Sequence, residues 1–285
     1  MSEFIIQNSL GIELDISNND YFYLTELSNQ TFFESSLYST TNAGYDGSII
    51  NSLTVNPRTI AFDLRIKSGV EVEEAKRYIL QHLKPKKEHT IVWNRNDKVL
   101  TIQGVFQGLS MPRWTNKVIL QATFYCEVPF WADKENTLWE IDDIVNLHYF
   151  TTSTDDMLYF DDGGLVMGVY DLARTRTYEN YGDVETGLEI TIHALGTVVD
   201  PVMYLNSPDN YIGINDTLEE GDIVVISTER GYQDIMKNGS SILSKIMQGS
   251  TFIQLELGTN TFSISSADGE TDNVYFSISY KQKYI

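Results

Sequence analysis

The chain has 285 residues, of which 42% are apolar and 12% aromatic, which is enough for roughly two globular domains. Its net charge of −20 disfavours nucleic acid and anionic membranes as partners. The single cysteine excludes an internal disulfide, and neither a secretory signal nor an apolar stretch long enough to span a membrane is recognised. These features predict a protein that is made and folded in a cytoplasm.

The charge is divided unevenly along the chain. Residues 1–133 hold 15 acidic and 12 basic side chains, a net charge of −3. Residues 134–285 hold 25 acidic and 8 basic side chains, a net charge of −17. This asymmetry is expected if the first half packs against other proteins and the second half faces solvent, although an acidic surface also serves solubility.

The first half begins with short β-type runs at residues 4–6, 11–16 and 21–27. Residues 28–48 are rich in Ser, Thr, Asn and Gly with scattered aromatics, and this stretch is long for a plain connection. It predicts a functional arm or an inserted hairpin, with a turn at Asp46–Gly47. Residues 49–55 and 59–67 are predicted strands around a turn at Asn56–Pro57.

A single helix is predicted over residues 71–83. Ser68 and Glu71 fit a capping box, and Pro85 stops the helix after its basic end. The apolar positions at helical spacing predict a stripe that faces the core, namely Val72, Ala75, Ile79 and Leu83.

Residues 89–94 and 98–107 predict a hairpin that turns at residues 96–97, and residues 114–127 supply a closing strand. In this strand Ala122, Phe124 and Cys126 alternate with polar positions, which indicates one buried face. Pro129 ends the strand, and Phe130 and Trp131 follow where the chain leaves the sheet. These two rings either fill the bottom of a core or form a domain junction or an oligomer contact. We place a domain boundary near residue 133.

The second half shows turn residues about every ten residues, a spacing typical of an all-β sandwich. Residues 149–162 and 166–181 are strand-rich, and residues 242–247 form a short helical turn or a loop. Further strands are predicted at residues 188–192, 202–205, 211–214, 223–227, 233–236, 251–255, 261–265 and 274–280. The chain is therefore expected to be mostly β, with an α+β domain over residues 1–133 and a β-sandwich over residues 134–285.

Motifs for catalysis, cofactors or metals are not found. The four histidines lie far apart, no second cysteine is available, and neither a phosphate-binding glycine loop nor a nucleophile elbow occurs. Acidic pairs at residues 142–143, 155–156 and 161–162 could in principle form a glycosidase pair or a calcium site, but none fits a calcium-binding loop, and residues 161–164 and 266–269 resemble turns. We expect no enzyme activity, no cofactor and no metal. Scattered aromatics leave carbohydrate recognition by the second half open.

In order and spacing, several motifs resemble the distal tail protein of long-tailed bacteriophages, the hub of the baseplate. Those in the first half are Tyr45–Asp46–Gly47 before a strand, Arg58–Thr59–Ile60 opening the next, the helix ending in Lys84–Pro85, and the strand end from Phe124 to Trp131. Those in the second half are residues 182–187 (GDVETG), residues 221–228 (GDIVVIST) and residues 252–260 (FIQLELGTN). The resemblance covers nearly the whole chain.

The resemblance implies that six copies form a ring through N-terminal β domains, each a β-sandwich carrying one helix. It implies that the ring docks on the tail tube on one side and on a tail-associated lysin or fibre base on the other. It also implies a galectin-like, jelly-roll C-terminal sandwich that points outward, and a location at the tail tip of a phage, prophage or tail-like particle. The candidate ring-interface or domain-junction residues are Tyr45, Asp46, Gly47, Phe130 and Trp131. The alternative function is an adhesin that binds carbohydrate of the host wall through the C-terminal sandwich.

Overall fold

The computed structural model describes residues 3–28, 34–42, 44, 46–95, 98–113, 118–140, 143–145, 160–161, 164–165, 169–171, 175–269 and 273–285. The chain divides into two compact units. The first comprises Met1–Lys134 together with Lys283–Ile285, and the second comprises Glu135–Gln282. The described residues are mostly β, with one α-helix, as the sequence predicts. This helix has 11 residues and is too short to cross a bilayer.

Among the described residues, the first part of the chain contains ten strands and the helix. Its elements are β1 (Glu3–Asn8), β2 (Glu13–Asp15), β3 (Phe22–Ser28), β4 (Ser35–Thr40), β5 (Ile49–Val55), β6 (Arg58–Ile66), α1 (Val72–His82), β7 (Glu88–Arg95), β8 (Lys98–Arg113), β9 (Ile119–Cys126) and β10 (Trp131–Asp133).

The remaining strands follow from residue 137 to the end of the chain. They are β11 (Thr137–Glu140), β12 (Asp143–Val145), β13 (Phe160–Asp161), β14 (Gly164–Leu165), β15 (Val169–Asp171), β16 (Thr175–Asn180), β17 (Leu188–Ala194), β18 (Val198–Val199), β19 (Val202–Leu205), β20 (Ser207–Gly213), β21 (Thr217–Leu218), β22 (Ile223–Ser227), β23 (Asp234–Lys237), β24 (Ser240–Ser241), β25 (Gly258–Ser265), β26 (Val274–Tyr280) and β27 (Lys283–Tyr284). A single 3-10 turn, Leu243–Lys245, lies within the predicted segment 242–247.

The first unit is built on one antiparallel sheet in the order β2-β1-β7-β8-β9-β6-β3. The short strands β10 and β27 pair with each other, and β10 also pairs with β8. Two irregularities in the register interrupt the pairing of the long strand β8 with β9, and bulges of this kind bend a sheet. Apart from β4 and β5, the described strands of this unit therefore belong to one continuous hydrogen-bonded sheet.

The helix α1 packs against this core through Ala75, Ile79 and Leu83, three members of the predicted stripe. The predicted capping box is wrong, because α1 starts at Val72 and its N-cap, Glu71, makes no side-chain cap hydrogen bond. Gly69 has a φ of 88°, a left-handed value, and lies within a turn that the N–H of Val70 closes by donating to the carbonyl of Lys67; this turn separates Ser68 from the helix.

A continuous set of aromatic rings lies at the centre of the first unit. Phe62 meets Phe4 edge-on at 5.5 Å and Phe124 at 5.9 Å between ring centroids. Phe124 also contacts Phe106 at 5.4 Å and His89 at 6.0 Å. The alternation predicted for β9 is confirmed, because Ala122, Phe124 and Cys126 are all buried.

The second unit contains two main sheets, ordered β11-β26-β17-β22-β23-β24 and β16-β25-β19-β20. Buried residues of both sheets belong to one hydrophobic cluster, which includes Ile190 and Phe276 from the first sheet and Met203 and Phe262 from the second. Two sheets that share one core form a β-sandwich, as the turn spacing predicts. Most of the strand-rich stretch predicted at residues 149–181 lies outside the described residues.

One predicted strand of this unit is wrong. Residues 251–255 form no ladder, although Ile253 and Leu255 are buried. The backbone N–H of Thr251 donates to the carbonyl of Tyr211 and that of Leu255 donates to the carbonyl of Thr186. Because the two ends of the segment bond to different parts of the chain, no continuous pairing arises.

Candidate assembly surface

The hairpin β4–β5 forms a two-stranded sheet of its own. Ser35 pairs with Val55, and Leu37 pairs with Leu53. The two strands predicted on either side of Asn56–Pro57 are both present, but they do not pair with each other: β5 pairs with β4, whereas β6 pairs with β3 and β9. The predicted arm is thus one strand of a hairpin that lies apart from the main sheet.

A bulge in this hairpin collects apolar side chains on one face. The register shifts between Tyr38 and Ser39, so that Ser39 faces Ile50. Ser39 lies two residues after Leu37 and therefore on the same face of the strand. Ile50 consequently joins Leu37 and Leu53 on that face, which also carries Val55. Ile50, Leu37 and Leu53 are 61%, 55% and 64% exposed.

The strands of this hairpin carry no charged side chain: their sequences are SSLYST and IINSLTV. The opposite face also presents large exposed apolar groups, at Tyr38 and Ile49. Natural edge strands usually carry charges, prolines or covering segments that prevent pairing with another chain. A hairpin with uncharged strands and with apolar groups exposed on both faces has the properties of a docking element rather than of a solvent-facing surface.

The turn motif of the sequence analysis lies in the connection of this hairpin. Asp46 and Gly47 are exposed, and Gly47 has a φ of 103°, a left-handed conformation that favours glycine. Tyr45 lies outside the described residues. The contribution of these three residues to an interface stays a prediction.

Phe130 and Trp131 lie at the end of the first unit. Trp131 is 5% exposed, and its ring lies 5.3 Å from that of Trp93. Its backbone pairs with Tyr284 in β27, so it belongs to the core of this unit, three residues before the unit ends at Lys134. Phe130 is half-buried. A role of either ring in a junction or a ring contact stays a prediction.

Charged groups converge in the second unit as ion pairs. Lys237 Nζ lies 2.8 Å from Asp222 and 3.5 Å from Asp216, and Lys245 Nζ lies 2.8 Å from Asp216. The backbone N–H of Glu219, with help from Lys237, lowers the pKa of Asp222 to about 2. These pairs tie loops of the sandwich together.

Within the described ranges, no three His, Cys, Asp or Glu side chains form a group suited to a metal ion. Of the acidic pairs named in the sequence, Asp142, Asp155, Asp156 and Asp162 lie outside the described residues.

Sequence reasoning identified the arm but missed the apolar side chains that distinguish it. The available signal was the absence of charge from both runs, SSLYST and IINSLTV, combined with large apolar residues. The pairing of the two runs and the bulge decide which side chains share a face, and neither is encoded locally.

Comparisons with known proteins give one family match, which covers the end of the chain. Residues 181–284 match the family model SPP1_Dit, described as the siphovirus-type tail component, C-terminal domain. A search of curated proteins finds no match.

Among solved structures, the chain is similar to the SPP1 Dit protein, described as a paradigm of the hub adsorption apparatus in phages that infect Gram-positive bacteria. The TM-score is 0.70 at 15% identity, with 99% of each chain covered. It is also similar to a chain of the phage P2 baseplate in its activated conformation with calcium, with a TM-score of 0.51 at 13% identity over 99% of this chain and 98% of that one.

The structural likeness shows the fold of the whole chain, and the family match concerns residues 181–284 alone. Residues 181–284 match a siphovirus-type tail component domain, and the whole chain has the fold of the SPP1 Dit protein, in agreement with the resemblance of its sequence motifs to distal tail proteins.

Proposed function

We propose that this chain is a structural hub at the distal end of a phage tail, and that its copies join into a closed ring. The observation that carries the proposal is the hairpin β4–β5, whose strands carry no charged side chain and which exposes Leu37, Ile50 and Leu53 together on one face. A contact between two different surfaces of the same chain closes into a ring when it is repeated around an axis. The resemblance in sequence implies six copies.

The charge distribution supports different roles for the two halves of the chain. Residues 1–133 carry a net charge of only −3, so copies of this half approach one another without strong repulsion. Residues 134–285 carry −17, which favours solvent over self-association. This distribution fits a ring formed by the first half of the chain.

The remaining parts of the proposal follow from the resemblance to distal tail proteins. The ring docks on the tail tube on one side and on a tail-associated lysin or fibre base on the other. The protein is assembled in the cytoplasm of the bacterial host and remains at the tail tip of the virion. Its role is non-enzymatic, because a hub acts by presenting complementary surfaces.

The test of self-assembly is the substitution Leu53→Glu, with Thr54→Glu as its matched control. The two positions are neighbours in β5, both are exposed, and they point to opposite faces of the hairpin. A carboxylate at position 53 removes an apolar contact and places a charge in the proposed interface, and this occurs in every contact of the ring. Light scattering should show a mass near six times 32.4 kDa for the wild type and the control.

The Leu53→Glu variant should remain at 32.4 kDa while keeping the circular dichroism spectrum of the wild type. Deletion of residues 30–45 should likewise leave folded monomers. A ring that survives either change contradicts a contact through the hairpin. A wild-type protein that stays monomeric up to its solubility limit contradicts self-assembly altogether.

A further inference from the structure

A cleft lies on the outer face of the sheet β16-β25-β19-β20 in the second unit. Its volume is about 390 Å³, which falls within the range of small-ligand sites. The lining residues are Thr175, Tyr204, Asn206, Ser207, Pro208, Thr261 and Ser263. They supply four aliphatic hydroxyls, one amide, one aromatic ring and one proline, and none of them is charged.

The register of the sheet explains why these side chains meet. Thr175 pairs with Ser263, Ser263 pairs with Tyr204, and Tyr204 pairs with Tyr211, so one row of outward side chains crosses four strands. The alternate residues of the same strands, such as Phe262 and Met203, point into the core. The position of these lining side chains is therefore determined by the pairing of the strands and not by a loop.

Its floor is fixed by an unusual backbone conformation at Asn206, which has a φ of 61° next to a bulge in the pairing of β19 with β20. The side-chain Oδ1 of Asn206 accepts from the N–H of Thr261 at 2.7 Å, and its own N–H donates to the carbonyl of Thr261 at 2.9 Å. Its Nδ2 donates to Asn260 at 3.2 Å. Three hydrogen bonds hold a left-handed asparagine beside the cleft, so the site is preformed.

The hydroxyls of Thr175 and Ser263 make no hydrogen bond within the described part of the chain, and both line the cleft. Tyr204 is half-buried and offers a ring beside them, with the ring of Tyr211 centred 5.8 Å away. Hydroxyl and amide groups next to an aromatic ring match a ligand that has hydroxyls at its edge and an apolar C–H face. Sugars have this combination of surfaces.

The charge of the protein around the cleft limits the kind of sugar that can bind there. The cleft is lined by neutral groups in a half of the chain that carries a net charge of −17. An anionic glycan would be repelled by that field, and a cationic ligand would find no carboxylate among the lining side chains. We infer that this cleft binds a neutral oligosaccharide through the Tyr204 ring and the hydroxyls of Thr175 and Ser263, a function beyond the structural role in the ring.

The test applies the full-length protein to an array of neutral, anionic and cationic glycans. The wild type should bind one or more neutral glycans. Tyr204→Ala should weaken binding by about tenfold through loss of the ring contact. The double substitution Thr175→Val and Ser263→Ala should weaken it by about fivefold or more through loss of two hydrogen-bonding groups. Tyr232→Ala removes an exposed tyrosine outside the cleft and should leave binding unchanged.

Light scattering of the same samples separates this inference from the proposed function. If the protein forms a ring but binds no neutral glycan, the inference about the cleft is wrong and the proposed hub function is unaffected. Equal binding by the wild type and by both cleft variants, each with an unchanged unfolding temperature, also overturns it. Binding restricted to anionic glycans would contradict the charge argument.

Discussion

Gly187 is a buried position at which the second unit has no room for a side chain. A Cβ at this position would lie 2.5 Å from Cα and 2.8 Å from the backbone N of Glu229. Both distances are far below van der Waals contact, and both atoms belong to the backbone, so no rotation of a side chain relieves the overlap. The glycine that ends the motif GDVETG is therefore required by packing. We predict that Gly187→Ala destabilises the second unit.

The surrounding backbone cannot easily move away. The N–H of Leu188 donates to Thr228 Oγ1 and the N–H of Thr228 donates to the carbonyl of Leu188, each at 2.8 Å. Thr186 exchanges two backbone hydrogen bonds with Leu255, at 3.1 and 2.8 Å. A displacement of roughly 1 Å, needed to restore contact distance, stretches these bonds.

Overpacking costs about 1–3 kcal/mol, and weakening one buried hydrogen bond adds about 1 kcal/mol, so the expected loss in the free energy of unfolding is about 3 kcal/mol. For a unit of this size the unfolding temperature should fall by roughly 6–12 °C. Calorimetry measures this fall, and hydrogen exchange should show lost protection in β17 and β22 but not in β6 and β9.

The matched control is Gly108→Ala in β8, where an added Cβ meets nothing within 4 Å. Its unfolding temperature should stay within about 2 °C of the wild type, because surface changes without a clash alter stability little. A Gly187→Ala protein with the wild-type unfolding temperature would refute the reasoning.

Three further predictions concern titration and reactivity. Burial lowers the pKa of His89, which is 1% exposed, so protonation of its imidazole is less favourable in the folded first unit than in the unfolded chain. The urea midpoint of the first unit should therefore fall as the pH drops below about 6.5, and His89→Gln should flatten that dependence. Burial raises the pKa of the Cys126 thiol to about 12, so a thiol reagent at pH 8 should label the protein in urea and leave the folded protein unlabelled. The N–H of Glu219 and the side chain of Lys237 lower the pKa of Asp222 to about 2. The contribution of this carboxylate to stability is therefore full above about pH 3.8 and is lost as the pH falls towards 2. In a calorimetric pH series, Asp222→Asn should remove this part of the acid sensitivity.

Elements with a strong local period could be predicted from the sequence. The alternation of β9 and the apolar stripe of α1 identify the buried faces, because each depends on residues close together in the chain. The start of α1 could not be predicted in the same way. Ser68 has the residue type and spacing of a cap, and only the left-handed φ of Gly69 shows that the helix begins later.

Long-range pairing accounts for most of what the sequence did not predict. Residues 49–55 pair backward with β4 instead of forward across Asn56–Pro57, and the last three residues of the chain return to the first unit through β27. The Tyr204 cleft depends on the register of four strands that span residues 175–265. Its lining residues come from three distant stretches of the sequence, at position 175, at positions 204–208 and at positions 261–263, so no single motif indicates the cleft.

The isolation of the hairpin β4–β5 connects folding to assembly. A two-stranded hairpin with both faces in water is only marginally stable, and this one has no charged side chain in its strands to oppose pairing with another chain. We therefore expect the ordering of β4–β5 and the formation of the ring to be a single equilibrium that depends on protein concentration. Amides of these strands should exchange quickly in dilute protein and slowly in the ring, whereas in Leu53→Glu they should exchange quickly at every concentration. Equal protection of these amides in the monomer and in the ring would show that the hairpin is stable alone and that another surface holds the copies together.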